Sequence, residues 1–360
     1  MIIGLPKETK EQEDRVALIP AGVKELVHGG HHVLVERNAG WGSGYHDSDY
    51  AGAGAELLDG PEDIFERAEM IVKVKEPQPA EVRLLRRGQL LFTYLHLAAS
   101  RKLTESLLAS GVIAIGYETV ESGGKLPLLE PMSEIAGRMS VVMGAYYLAR
   151  HNGGKGILLG GVPGVLPGRV VVIGGGTAGI NAARMASGLG ADVTILEVDL
   201  ERMRFLDITM SKTHTLFSTE ANLVELLPRV DLLVGAVLVP GSKAPKLIRR
   251  DMLRVMRPGS VLVDIAIDQG GCAETSHPTT HHDPVYVEEE VSHYCVANMP
   301  AAYARTATQA LTNVTFRYVK MIADHGLDGA CEREPGLASG VNLRDGKIVC
   351  KAVADEFEHL

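Results

Sequence analysis

The sequence predicts an α/β protein of two doubly wound domains, each a mostly parallel sheet covered by helices. Three observations lead there. Short β-branched runs alternate with helical segments through the first 120 residues, a glycine-rich turn joins a strand to a helix near the middle, and 360 residues divide into two to three domains at about 150 residues each.

In the first part of the chain, the apolar runs 2–5, 32–36, 70–74, 90–95 and 112–117 read as buried strands. Helical segments such as 21–28 and 103–109 fall between most of them. After Pro131 a long helix is expected over 133–150, with Ser133 as its N-cap and Glu134 near its positive end. It would link the domains.

Residues 169–199, RVVVIGGGTAGINAARMASGLGADVTILEVD, form one βαβ unit. A strand over 170–173 runs into Gly174, Gly176 and Gly179, spaced G-x-G-x-x-G, and a helix over 178–189 follows. Gly174 permits the tight turn, Gly176 lets backbone approach a pyrophosphate, and Gly179 lets helix and strand pack closely. Thr177 and Ala178 open the helix whose N-terminal amides would receive that pyrophosphate. The second strand, 193–196, ends in Glu197, about 20 residues on, where a carboxylate can accept hydrogen bonds from the adenosine ribose hydroxyls. This is the signature of a Rossmann-like dinucleotide domain, and Glu197 favours NAD because it would repel a 2′-phosphate. Arg202 and Arg204 lie just beyond; either softens that preference or is simply solvated.

Further strands are expected at 231–236, 261–267 and 293–297, then a helix over 301–325 with Gly326 as its stop signal. The tail from 330 is too short to fold alone and should pack back on the first domain. The expected division is therefore a discontinuous substrate domain, 1–130 plus 301–360, and a NAD-binding domain, 131–300, with an active-site cleft between them. The glycine-rich stretch 153–168 reads as a surface excursion.

A net charge of −9 with no basic run argues against a nucleic-acid partner. The most hydrophobic region, 156–176, contains Arg169, two prolines and many glycines, so no membrane span is expected. The start lacks a signal-peptide core, and Cys272, Cys295, Cys331 and Cys350 show no C-x-x-C pairing, which points to reduced thiols and the cytoplasm. His277, His281 and His282 lie in a polar loop without a cysteine partner at zinc spacing; together with His293 they read as surface histidines, and no metal site is expected.

Ligands of doubly wound folds bind beyond the carboxyl ends of strands, so polar residues there are the candidates. Arg15 follows the first strand, Lys75 ends MIVKVK, and His96 ends LLFTYLHL. Each has a bland counterpart: Lys75 reaching water, His96 as a hydrogen-bonded core residue. Lys73, deeper on the same strand, is expected to make a structural ion pair or to snorkel. Asp268 follows VDIAI with Ile267 before it and Gly270 and Gly271 close behind, and reads either as a ligand-facing group or as a turn cap.

Eight strings resemble the L-alanine dehydrogenase family. They are PKETKEQEDRVALIPAGV (6–23), VKVKEP (72–77), FTYLHLAA (92–99), PMSEIAGRM (131–139), GGGTAGINAAR (174–184), GAVLVPGSKAPKL (235–247), DIAIDQGGCAET (264–275) and YCVANMPAAYARTAT (294–308). The resemblance implies a NAD-dependent homohexamer acting on L-alanine, pyruvate and ammonium in amino-acid catabolism. It implies that Arg15 and Lys75 bind the substrate carboxylate and that His96 and Asp268 perform acid–base work. It also implies dinucleotide contacts from Ser133, Glu197, the loop at Val237 and Leu238, and the turn Asn298–Met299, with Arg202, Ile267 and Asp268 beside them. Two positions depart from the family: Glu197 stands where an aspartate is common, and Ala304 where many members have proline. The alternatives are the NAD-binding α subunit of a proton-translocating transhydrogenase and a catalytically silent NAD-binding module.

Overall fold

The computed structural model describes residues 1–237 and 244–357. They form two compact units, Met1–Met132 with Ala301–Leu360, and Ser133–Pro300.

The first unit opens with β1 (Ile2–Leu5), β2 (His32–Glu36), β3 (Glu56–Leu58), β4 (Met70–Val72), β5 (Leu90–Thr93) and β6 (Ile113–Gly116). These pair in parallel in the order β3-β2-β1-β4-β5-β6. The second unit carries β7 (Arg169–Ile173), β8 (Asp192–Glu197), β9 (Thr213–Phe217), β10 (Leu232–Gly235), β11 (Val261–Asp264), β12 (Val285–Glu288) and β13 (Val291–Tyr294). Their order is β9-β8-β7-β10-β11-β13-β12, parallel except for the edge strand β12. The chain then returns to the first sheet, where β14 (Val341–Arg344) adds antiparallel to β6 and β15 (Lys347–Ile348) to β14.

In both sheets the strand order reverses beside the first strand, between β1 and β4 and between β7 and β10. Loops leaving such a pair diverge and open a crevice at the strands' carboxyl ends. The central strands are buried on both faces, which is why they read as continuous apolar runs rather than alternating ones. Val170 and Val172 of β7 enter one core with Leu232 and Val234, while Val171 and Ile173 enter the opposite core with Leu233. That split follows from the two-residue period of a strand.

Several boundaries differ from the sequence reading. The long helix begins at Glu130, not Ser133, so Ser133 lies within its first turn and is not an N-cap; the start at Glu-Pro exploits proline's compatibility with a first helical turn. Gly326 does stop the long helix that starts at Ala304: at φ 70°, ψ 171° it is non-helical, and a second helical segment follows it as far as Arg333. The strand expected over 70–74 ends at Val72 and that over 90–95 ends at Thr93, which leaves Lys75 and His96 in loops. Among the described residues no helix is long and apolar enough to cross a membrane.

Candidate active site

In the first unit the loop after β1 carries Glu8, Glu13 and Arg15, all buried. Arg15 is 1% exposed. Its Nε donates to Glu13 Oε1 at 2.6 Å and a terminal nitrogen to Oε2 at 2.5 Å, while the other terminal nitrogen points at Met132 Sδ, 3.0 Å away. Burial alone would weaken the guanidinium's hold on its proton, but the adjacent Glu13 carboxylate outweighs it and the hold is tighter than usual. One side of the Arg15 fork is therefore already engaged by this chain. A pocket of about 240 Å³ opens beside it, lined in part by Asp14, Asn38 and Trp41.

Glu8 spans the reversal point between β1 and β4. Its carboxylate accepts from Lys73 Nζ at 3.0 Å, from the Val74 amide at 2.6 Å and, at the long end, from the Lys75 amide at 3.4 Å. Glu81 takes a second bond from Lys73 at 2.7 Å. Lys73 is thus the structural ion pair expected of it. Burial would strip its proton, but the two glutamates prevail and keep it charged. The neighbouring Lys75 is buried too, with Nζ 6.0 Å from the Tyr94 ring centroid.

Tyr94 is the common neighbour of the basic groups. The His96 ring stacks on it, centroids 5.8 Å apart and planes within 7°, and the Tyr94 hydroxyl donates to the Leu128 carbonyl at 2.5 Å. Arg15 acts on the Tyr94 hydroxyl electrostatically, opposing the burial that makes it harder to ionise. Lys75 and His96, drawn from two loops, flank one aromatic ring. His96 itself takes a left-handed conformation, φ 47°, ψ 42°.

In the second unit the glycine turn links β7 to the helix Thr177–Gly188. Gly174 has φ 95°, and a Cβ on Gly179 would lie 1.8 Å from the Gly174 carbonyl oxygen. Around Gly176, by contrast, a Cβ would meet nothing within 4 Å. The turn is tight underneath and open above, the shape needed where a phosphate approaches bare backbone at a helix N-terminus. Thr177 and Ala178 occupy the first helical positions.

Glu197 ends β8 and braces this turn. Its Oε2 accepts from the Gly175 amide at 2.7 Å, and Oε1 from the amides of Val198 and Asp199 at 2.7 and 3.0 Å. Each carboxylate oxygen has two acceptor directions, so these bonds do not exhaust it. Arg202 is not merely solvated: its Nε donates to the Gly175 carbonyl at 2.6 Å. Arg204 is exposed.

Asp268 lies exposed in the short turn Ile265–Gln269 and accepts from the Asn298 amide at 3.2 Å. Asn298 has φ 59° and precedes the buried Met299. The turn-capping role belongs to Asp264 instead, whose buried carboxylate accepts from Ala266 N, Cys272 N and Ser276 Oγ. Ile267 is buried, so toward a ligand it offers backbone. Val237 packs beside Gly174; Leu238 lies outside the described residues. His293 is not a surface residue. It is fully buried, its ring bonded to Thr275 Oγ1 and the Val291 carbonyl. Among the described residues no group of three potential metal ligands occurs.

Sequence reading missed the glutamates that hold the basic groups: Glu8, Glu13, and Glu118, which accepts from the His96 amide at 2.6 Å. A signal existed for Glu118. It follows the strand end at Gly116 as His96 follows Thr93, and the same strand-end criterion would have flagged it.

Residues 4–136 match the family pattern "Alanine dehydrogenase/PNT, N-terminal domain", and residues 140–351 match "Alanine dehydrogenase/PNT, C-terminal domain". The chain belongs to the alanine dehydrogenase/PNT family. It is 55% identical to alanine dehydrogenase of Halomonas elongata, covering 99% of this chain and 97% of that one, and 51% identical to that of Mycobacterium tuberculosis over the same shares. A solved L-alanine dehydrogenase structure superposes with TM-score 0.94 at 51% identity, covering 99% of each chain. The transhydrogenase of Sinorhizobium meliloti, at 24% identity and TM-score 0.83 over 98% of this chain and all of that one, shares the fold.

Proposed function

We propose that this protein catalyses the reversible oxidative deamination of L-alanine to pyruvate and ammonium with NAD as cofactor. What carries the reading is Lys75 and His96 flanking Tyr94, with the buried Arg15 in the same unit, in a chain that is 55% identical to an alanine dehydrogenase along nearly its whole length. Two cations and a base suit a substrate that is at once carboxylate and amine. The open turn at Gly176 and the helix Thr177–Gly188 suit a dinucleotide pyrophosphate, with Thr177, Ala178 and Gly179 supplying amides and Glu197 retaining acceptor capacity for the ribose. Ser133, Val237, Leu238, Asn298 and Met299 complete the proposed cofactor contacts.

In this mechanism Lys75 and Arg15 hold the alanine carboxylate, fixing the Cα–H direction. His96 accepts a proton from the ammonium group, so that the amine lone pair assists departure of the hydride. NAD supplies the acceptor for that hydride. Water then adds to 2-iminopropanoate with His96 or Asp268 relaying protons, and the carbinolamine collapses to pyruvate and ammonium. Lys75→Ala should leave NADH binding intact and cost about 2 to 4 kcal/mol in kcat/KM, since a partly desolvated carboxylate loses its countercharge. We also propose a cytoplasmic homo-oligomer, a hexamer by family resemblance, consistent with four free cysteines.

The test is a screen of amino acids against NAD and NADP, followed by NADH absorbance. NADH formation with alanine and NAD, and little with NADP, is expected. Absence of turnover with alanine would overturn the reaction, and equal use of both cofactors would overturn the role of Glu197.

A further inference from the structure

We propose that Glu118 is a positioning residue for His96, a role that rests on the reading of His96 as the base. His96 is held at φ 47°, ψ 42°, a left-handed conformation in which a side chain crowds its own carbonyl. Such a conformation persists only where the surroundings over-determine it. The surroundings here are the Glu118 carboxylate on the amide side of His96 and, on its carbonyl side, the Ala99 amide at 3.0 Å.

β5 and β6 pair in parallel with Thr93 opposite Gly116, so the segments that leave them emerge side by side at one end of the sheet. Glu118 sits in the turn Tyr117–Thr119, just past Gly116. Its Oε1 accepts from the His96 amide at 2.6 Å and from the Leu95 amide at 3.2 Å, and its Oε2 lies 3.2 Å from the same Leu95 amide. Two successive N–H groups converging on one carboxylate define the peptide planes on both sides of Leu95. These bonds fix Leu95 and the entry into His96, and the Ala99 amide bound to the His96 carbonyl closes the left-handed turn from the other side. The Tyr94 ring, anchored through its hydroxyl to Leu128, then supports the imidazole face.

The division matters for the chemistry. The two restraints act on the backbone and on the ring face, so neither occupies a ring nitrogen of His96. Where many catalytic histidines are oriented by a carboxylate on one ring nitrogen, this one is oriented through its main chain. Glu118 needs no contact with substrate to set where the imidazole stands.

The experiment uses the full-length enzyme and compares Glu118→Ala, Glu118→Gln and Glu118→Asp with His96→Ala, reading kcat and KM for alanine, NADH affinity by fluorescence, thermal melting, and the isotope effect with alanine deuterated at Cα. A misplacement of the base by an ångström costs about 100-fold, so Glu118→Ala should lower kcat by about 10- to 100-fold while NADH affinity stays parental. The isotope effect on kcat should rise as the chemical step becomes slower. Glu118→Gln keeps an oxygen where both amides already converge, and should recover most of the lost turnover. A residue needed only for folding would lower melting temperature and active fraction without moving the isotope effect. If Glu118→Ala does not fold, Glu118→Asp, which keeps the charge and withdraws the acceptor, carries the test and should show the same loss. Parental kcat in the folded Glu118 variants with an inactive His96→Ala overturns this inference alone. Near-parental turnover in His96→Ala overturns the reading of His96 and this inference with it. Equal damage in Glu118→Gln and Glu118→Ala also overturns it, because charge and not acceptor geometry would then matter.

Discussion

The first sheet reads β3-β2-β1-β4-β5 and the second β9-β8-β7-β10-β11, the same order of parallel strands about a first strand, yet their reversal points display opposite chemistry. Between β1 and β4 the loops are filled with buried charges, Glu8, Lys73 and Lys75, and Glu13 with Arg15 lies nearby. Between β7 and β10 there is glycine and bare amide, with Ala236 and Val237 against Gly174. On the reading proposed above, one topology serves two recognition problems. A small zwitterion needs point charges held by counter-charges, because unpaired ions could not stay buried. A long phosphate ester needs room and aligned N–H groups, which side chains would obstruct.

The contrast breaks first at Lys73. If the first unit depends on its buried ion network, Lys73→Met strands two carboxylates against each other and should cost about 3 to 5 kcal/mol in denaturant unfolding. A loss under about 1 kcal/mol would mean that the network behaves like a surface pair. The glycine turn offers a sharper cut within the second unit. Gly179→Ala drives a Cβ to 1.8 Å from a carbonyl oxygen and should cost about 1 to 3 kcal/mol of stability as well as cofactor binding. Gly176→Ala meets nothing within 4 Å and should melt like the parent while weakening NADH roughly tenfold or more in fluorescence titration. Parental NADH affinity in Gly176→Ala would remove the pyrophosphate from that turn. The smallest effect concerns His293. Burial depresses its proton affinity below the ordinary value of 6.5, so the folded state prefers it neutral. Its contribution is present above pH 6.5 and is lost as pH falls from there through the folded value, the unfolded chain taking up the proton first. His293→Asn should flatten that part of the melting temperature's pH profile. An unchanged profile would show that the second unit's acid sensitivity lies elsewhere.

What sequence could show follows from range. The β7 turn and helix are local, and Gly174 to Glu197 was legible because period, glycines and strand all fall within one short segment. Lys75 and His96 were found by place, as polar residues past apolar runs, although β4 and β5 end two residues sooner than their hydrophobicity suggests. Edge strands such as β3 and β9 were missed since they are half-exposed and their composition is mixed. The glutamates were missed for a different reason. Glu8 meets Lys73 and Glu118 meets His96 only through pairing of distant strands, and no spacing along the chain encodes that. Arg202 read as a possible solvated residue because its acceptor is a backbone carbonyl.

The return of the chain to the first sheet has a consequence for biosynthesis. β6 is bordered on one side by β14, with Val341 opposite Ile115 and Leu343 opposite Ala114. At about 5–20 residues per second, a ribosome delivers β14 on the order of ten seconds or more after β6. Throughout that interval Ala114 and Ile115, fully buried in the finished protein, belong to a strand with one open edge. Nascent chains of this protein should therefore be most prone to mispairing late in translation. A chaperone that shields an extended apolar edge should raise the yield more than one that acts only on released chains.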